Sequence, residues 1–189
     1  DALRKIKAVG RCLPTMDIKI VDDEDHEVTT GAIGELVFKG AKTFKGYWKK
    51  PEATRATIVD GWVHTGDIGK IDEEGFVYVL DRKKDMINRG GEKIYSLEVE
   101  NVISDNPKVL EVAVVGIPDP VMGEVVKACV ALKPGDQATK EEIRKFCAER
   151  LADYKVPKFV EFMDCLPRNP AGKVSKKELR YVPARPRDV

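Results

Sequence analysis

The sequence predicts an α+β fold. A run of β-hairpins, enough for a small barrel, leads into a small mixed α/β body with a three-stranded sheet, helices and a two-stranded hairpin. Three observations predict it. Residues 1–81 fall into short strand-like runs, parted by turns rich in Gly and Asp. Beyond residue 85 helical spacing alternates with Val-rich runs. Between the two lies Asp81–Glu100, which opens on four consecutive charged side chains, Asp81, Arg82, Lys83 and Lys84. It then passes through Gly90-Gly91 into an amphipathic pattern, and so reads as a joint between two bodies.

In the first body, Asp17-Ile18-Lys19-Ile20 alternates as a half-buried strand does. The polar run Asp22–His26 turns the chain, and Glu35–Lys39 is a second strand after the Gly31…Gly34 region. Pro51, with Glu52 and Thr54, marks the start of a short helix, because proline is tolerated in a first turn. Ile68–Ile71 and Phe76–Leu80 flank Asp72-Glu73-Glu74-Gly75, a hairpin in which Gly75 supplies the positive φ of a tight turn. About eighty residues of hairpins cut from their neighbours enclose only a marginal core.

In the second body, Ser96 is the expected N-cap of a helix, with Glu98 and Glu100 near its positive end and Val99, Val102 and Ile103 on one face. Asn106-Pro107 stops it. Val109–Ile117 and Val125–Leu132, separated by Pro118-Asp119-Pro120, read as two strands of one sheet. Thr139-Lys140-Glu141-Glu142 fits a capping box, and the helix it opens places Ile143, Phe146, Cys147 and Leu151 inward. Phe159–Met163 is a third strand. Ser175-Lys176-Lys177-Glu178 fits a second capping box, and the tail from Val182 is expected to fray.

Bulk properties exclude several function classes. The 189 residues are 42% hydrophobic and 34% charged, a globular balance. Lys plus Arg number 33 against 32 for Asp plus Glu, so nothing draws the whole chain to nucleic acid. The four cysteines, Cys12, Cys129, Cys147 and Cys165, form no CxxC pair and read as reduced, mostly structural thiols. Two histidines are too few for a histidine-based metal centre, and none is expected. No apolar run reaches the roughly 20 residues of a membrane span. The expected location is cytoplasmic, at most peripheral to a membrane. The opening residues, which lack a Met, are read as the middle of a larger protein.

Four constellations could carry chemistry. In Thr65-Gly66-Asp67, Asp67 can accept hydrogen bonds from both hydroxyls of a ribose diol; alone, such a tripeptide is more often a plain turn. In Asp81–Asp85, Arg82 can reach a phosphate and the polar run can serve as a hinge; the alternative is a solvated charge run. Gly90-Gly91 lets a ligand lie against the backbone, or simply turns the chain. Pro167–Lys173 is a shaped loop ending in a lysine suited to a developing anion, with Lys176 or Lys177 and Arg180 on the same face. Its alternative is a basic helix face.

Taken in order, GYWKKPEAT, GWVHTGD, DRKKDMINRGGEKIYSLEVE, YKVPK and LPRNPAGKVSKKELR resemble the C-terminal third of the adenylate-forming superfamily. This superfamily holds acyl-CoA synthetases, peptide-synthetase adenylation domains and luciferases. DRKKDMI, DYKVPKFVEF and Lys84 are most similar to long-chain fatty-acid–CoA ligases. The resemblance implies that residues 1–83 end the β-barrel subdomain of a large N-terminal domain and that 84–189 form a C-terminal lid domain. It implies carboxylate attack on the α-phosphate of ATP, then transfer of the acyl group from AMP to coenzyme A.

Under that resemblance Lys173 is the catalytic cation of adenylation. Asp67 holds the ribose, Arg82 contacts the nucleotide near ribose and phosphates, Gly91 lines the pantetheine passage, and Lys84 is the hinge. Mg2+ would be held mainly by the N-terminal region, where the phosphate loop and acyl pocket also lie. The partners implied are a carboxylic acid, ATP, coenzyme A and the N-terminal domain of the same protein. Three alternatives stay open: a stand-alone binding module with the lid fold, an adenylation domain loading a carrier protein, and a luciferase-like monooxygenase.

Overall fold

Residues 7–180 are described by a computed structural model, and they divide into two units between Lys84 and Asp85. In the first, apolar alternation builds β1 (Gly10–Arg11), β2 (Met16–Val21), β3 (Gly34–Gly40), β4 (Ile58–Val59), β5 (Trp62–Ile71) and β6 (Phe76–Arg82), with the short helix α1 (Pro51–Thr57) before β4. The sheet runs β1-β6-β5-β3-β2, with β4 beside β5. All its pairs are antiparallel. Ile20, Leu36 and Val77 are its buried centre.

The barrel is the first correction. Among the described residues the sheet is open and ends on β1 and β2, which do not pair with each other. The cause is size: a filled closed barrel takes about eight strands, and β1 and β4 are two residues each. The β5–β6 hairpin forms as expected around Gly75, at φ 78°. Thr65-Gly66-Asp67 is not a turn beside a strand. It lies inside β5, where Gly66 at φ 70° and a register shift after Ile68 kink the chain.

The second unit carries β7 (Ile87–Arg89), β8 (Glu92–Ile94), α2 (Ser96–Ser104), β9 (Val109–Asp119), β10 (Gly123–Leu132), α3 (Lys140–Ala148), β11 (Phe159–Phe162) and α4 (Lys176–Leu179). β10 is the centre. It pairs antiparallel with β9 along its length, parallel with β11, and with β7 at Gly123↔Arg89. The expected three-stranded sheet and separate hairpin are thus joined in one five-stranded sheet. Both faces of β10 are covered, which is why its sequence is mostly apolar, with the buried Lys127 interrupting it. Val126, Ala128 and Val130 face α2 and α3 residues such as Val99, Ile103, Ile143 and Cys147. Val125 and Cys129 face Leu166 and Leu179.

Capping separates what local sequence decides from what it does not. The Thr139 box forms: Glu142 N–H donates to Thr139 Oγ1 at 3.1 Å, and Thr139 N–H to Glu142 Oε2 at 2.9 Å. Ser96 does not cap α2. Tyr95 holds that position without a side-chain capping bond to the helix end, and Ser96 is buried with its hydroxyl accepting from Lys176 Nζ at 2.7 Å. Glu100 serves the sheet instead of the helix end, accepting from Val114 N–H at 2.8 Å. Ser175 forms no box either. Phe146 stays half-exposed under the Arg150 guanidinium, 3.7 Å from the ring centre, rather than in the core. The tail from Val182 lies outside the described residues.

Candidate functional site

In the first unit, β5 and β6 make Asp67 and Arg82 register partners. Arg82 Nε–H donates to Asp67 Oδ1 at 2.8 Å. Thr65 fixes the kink: its hydroxyl donates to the Leu36 carbonyl at 2.8 Å and accepts from Asp67 N–H at 2.9 Å. Gly66 N–H donates to Glu35 Oε1 at 3.0 Å. The Glu35 side chain, 7% exposed, also accepts from Lys83 Nζ at 3.1 Å and faces His64 Nδ1 at 3.5 Å. Burial works against its charge, but the bonds from Lys83 and Gly66 prevail and hold the carboxyl below its ordinary range. Lys83 is pushed down by burial, yet its bonds to Glu35 and Asp23 leave it raised overall.

Gly66, Arg82, Lys83 and Lys84 line a cleft of about 390 Å³. A larger hollow of about 600 Å³ lies around Tyr47, Trp48 and Arg55, with cations and rings in its lining. Of the two, only the smaller cleft is lined by Arg82, the partner of Asp67.

In the second unit, two candidate elements stand on separate loops. Lys173 is exposed at the end of a hairpin loop closed by the Arg168↔Val174 bridge. Asn169 Oδ1 accepts from Ala171 N–H and Lys173 N–H, both at 3.0 Å. Arg168 spans the Gly172 carbonyl, at 3.0 Å, and the Glu111 carboxylate on β9. The loop is thus shaped by its neighbours before any ligand arrives. Behind it, α4 is only four residues long and cannot hold itself. Lys176 ties it to Glu100 at 2.7 Å, Lys127 donates to the Leu179 carbonyl at 3.2 Å, and Arg180 reaches Asp85 at 2.9 Å. Lys176 and Arg180 are therefore structural ties, which corrects the expectation of a uniform basic face with Lys173.

Gly90 and Gly91, at φ 61° and 95°, are the two central residues of the β7–β8 turn, where a side chain would be strained in both places. Gly91 is exposed at the tip. Lys84 lies in a single 3-10 turn, Lys83–Asp85, on the boundary between the units.

Comparison with known proteins bears on these groups. The family model for the AMP-binding enzyme C-terminal domain matches residues 98–173, ending on Lys173, and that for the AMP-binding enzyme matches residues 1–48. A long-chain-fatty-acid–CoA ligase of Escherichia coli is 47% identical over 92% of this chain and 31% of its own length. The chain belongs to the AMP-binding, adenylate-forming enzymes. A fatty acid–[acyl-carrier-protein] ligase of Streptomyces coeruleorubidus is 42% identical over 93% of this chain and 34% of its own length. The structure of o-succinylbenzoate–CoA synthetase from Bacillus subtilis, in complex with its acyl-adenylate intermediate, superposes with a TM-score of 0.90 at 37% identity. That match covers 96% of this chain and 37% of the synthetase. The chain therefore spans about a third of the length of these family members.

Of the site residues expected for an adenylate-forming enzyme, the fold brings Asp67 and Arg82 into contact and sets Lys84 on the same cleft. Lys173 and Gly91 occupy different loops of the second unit. Sequence reasoning missed Glu35, Glu111 and Asn169, which touch the backbone or charges around these groups. The available signal for Glu35 was an acidic residue beside the apolar run Leu36-Val37. A buried carboxylate there must be paired. Among the described residues no cluster of His, Cys, Asp or Glu could hold a metal ion, and no helix is long and apolar enough to cross a membrane. The four cysteines are free, and Cys129 and Cys147 are buried.

Proposed function

We propose that this chain is the C-terminal part of an ATP-dependent, AMP-forming acid–thiol ligase. Its enzyme joins a carboxylic acid, in the first instance a long-chain fatty acid, to coenzyme A. The observation that carries the reading is the Asp67–Arg82 contact at a lysine-lined cleft. A diol acceptor and a phosphate cation stand side by side there.

Asp67 Oδ2 takes the ribose hydroxyls while Oδ1 stays with Arg82. The outer guanidinium nitrogens of Arg82 meet the phosphates. A substrate carboxylate oxygen attacks the α-phosphorus, and the bond to pyrophosphate breaks. Two anions must approach for that step, and Lys173 supplies the cation between them. In the second step the thiol sulfur of coenzyme A, its proton lost, attacks the acyl carbon and AMP departs. Gly91 leaves the backbone open to the pantetheine arm, and rotation about Lys84 exchanges Lys173 for Gly91 at the reacting atoms. Mg2+, implied by the family, finds no ligand set among the described residues.

The deciding experiment is a chimera in which this chain replaces the matching segment of the Escherichia coli ligase. The expected result is fatty-acid-dependent release of pyrophosphate and formation of acyl-CoA. A folded chimera without either half-reaction would sink the proposal. The Streptomyces relative favours a second reading, transfer to a carrier-protein thiol. Offering the chimera coenzyme A against holo carrier protein separates the two.

A further inference from the structure

The turn between β9 and β10 holds the tip of the β7–β8 hairpin through two parallel chains of hydrogen bonds. In one, Glu124 Oε2 accepts from Asn88 N–H at 2.9 Å, and Asn88 Oδ1 accepts from Gly91 N–H at 3.0 Å. In the other, the Met122 carbonyl accepts from Gly90 N–H at 2.8 Å. Asp119 sets that carbonyl in place. Its Oδ1 accepts from Val121 and Met122 N–H, each at 3.0 Å, and its Oδ2 meets Lys158 Nζ at 2.6 Å.

The clasp has a seat in the sheet. A Cβ on Gly116 would stand 2.9 Å from Glu124 Oε1 and 3.0 Å from its Cδ, nearer than real contacts allow. Gly116 pairs with Val126 and Glu124 with Pro118, so Gly116 and Glu124 are diagonal neighbours on one face of the β9–β10 ladder. The missing side chain at 116 is what gives the carboxylate room to turn toward Asn88. A diglycine turn has more conformational freedom than any other pair, so a tip that must present its backbone to a ligand needs outside restraint.

The geometry points to Glu124 and Asn88 as positioning residues for Gly91, setting the entry of the thiol substrate without touching it. This rests on the reading of Gly91 given under Proposed function. Removing the carboxylate frees Asn88 and then the Gly91 amide, and the pantetheine passage loses its fixed wall. The step affected is the second one, thioester formation, because Lys173 stands on a different loop with its own supports.

Two measurements test it. In the 189-residue chain, Glu124→Ala and Asn88→Ala are expected to speed amide exchange at Gly91 about tenfold, the scale of one lost hydrogen bond. Glu124→Gln, which keeps an acceptor, restores protection, and the core amides of Val114 and Val130 do not change in any of the three. In the chimera with the Escherichia coli ligase, Glu124→Ala is expected to raise KM for coenzyme A and slow thioester formation from supplied acyl-adenylate by about tenfold or more, with adenylation unchanged. Gln again rescues. Unchanged Gly91 exchange, or equal loss in both half-reactions, would overturn the assignment. If exchange responds as expected but the unsubstituted chimera performs neither half-reaction, the fault lies with the proposed function, and the catalytic role of the clasp falls with it.

Discussion

Arg82 and Asp67 face each other across β5 and β6 and share a 2.8 Å hydrogen bond, although both remain open to solvent, with side chains 54% and 33% exposed. An ion pair so exposed contributes about 0–1 kcal/mol to folding. Its arrangement is therefore poorly explained by stability. Arg82→Ala should leave the unfolding free energy of the chain within about 1 kcal/mol of the parent, measured in urea. In the chimera the same change should slow adenylation about a hundredfold, the scale of a lost transition-state donor. Large destabilisation with normal adenylation would reverse the assignment of the pair.

Glu35 is the opposite case, a buried carboxylate with three groups turned to it. Its folded-state carboxyl is held below the ordinary value of 4.5. A depressed carboxyl contributes stability that is complete above the unfolded value and is lost as pH falls through the lower folded value. Glu35→Gln should cost about 1–3 kcal/mol at neutral pH, by leaving Lys83 and Gly66 with a weaker partner. It should also flatten the acid limb of stability against pH below 4.5. Urea midpoints from pH 3 to 6 for both proteins would check both expectations.

The cysteines give a test that needs no activity. Burial pushes the thiols of Cys129 and Cys147 up to about 11, whereas Cys165 is exposed. Reactivity follows the thiolate, so near neutral pH the two buried thiols should be labelled by a maleimide at least about a hundredfold more slowly than Cys165. Mass spectrometry should find Cys129 and Cys147 modified only once the chain is unfolded. Fast labelling of either in the native chain would contradict the packing of β10 and α3.

What was legible in the sequence is what neighbouring residues decide. The hairpin at Gly75 and the box at Thr139 involve groups within a few positions of each other, and both form. Ser96 and Ser175 look like equally good caps by local spacing. They fail because Lys176, 80 residues from Ser96, claims that hydroxyl, and because α4 is fixed by distant ties rather than by its own end. The site divides in the same way. Thr65-Gly66-Asp67, Arg82 and the Lys173 loop could be picked out one by one. That Arg82 would lie on Asp67 is a property of strand register, and the Glu35–Lys83 bond joins residues 48 apart. The barrel expectation failed on a count of strands that local pattern does not supply.

Lys173 sits on a loop braced by Arg168, Glu111 and Asn169. In the chimera, Lys173→Ala should reduce adenylation about a hundredfold or more and leave thioester formation from supplied acyl-adenylate nearly intact. Arg168→Ala should act in the same direction but less, since the ammonium survives and only its placement is loosened. Single-turnover assays of each half-reaction are the measurement. Equal losses in both steps would remove Lys173 from the adenylation role.

Lys84 stands in a single 3-10 turn at the boundary of the two units. Proline at 84 would fix φ near the value such a turn already has, and so oppose any swing to another angle. It would also press Lys83 away from helical angles, a local strain that must be separated from the loss of the pivot. Lys84→Ala supplies that control, because it removes the ammonium and leaves φ free. If the chain turns about Lys84 between the two steps, Lys84→Pro should slow thioester formation about tenfold more than adenylation, whereas Lys84→Ala should show no such bias. Equal slowing of both half-reactions by the proline variant would place the pivot elsewhere.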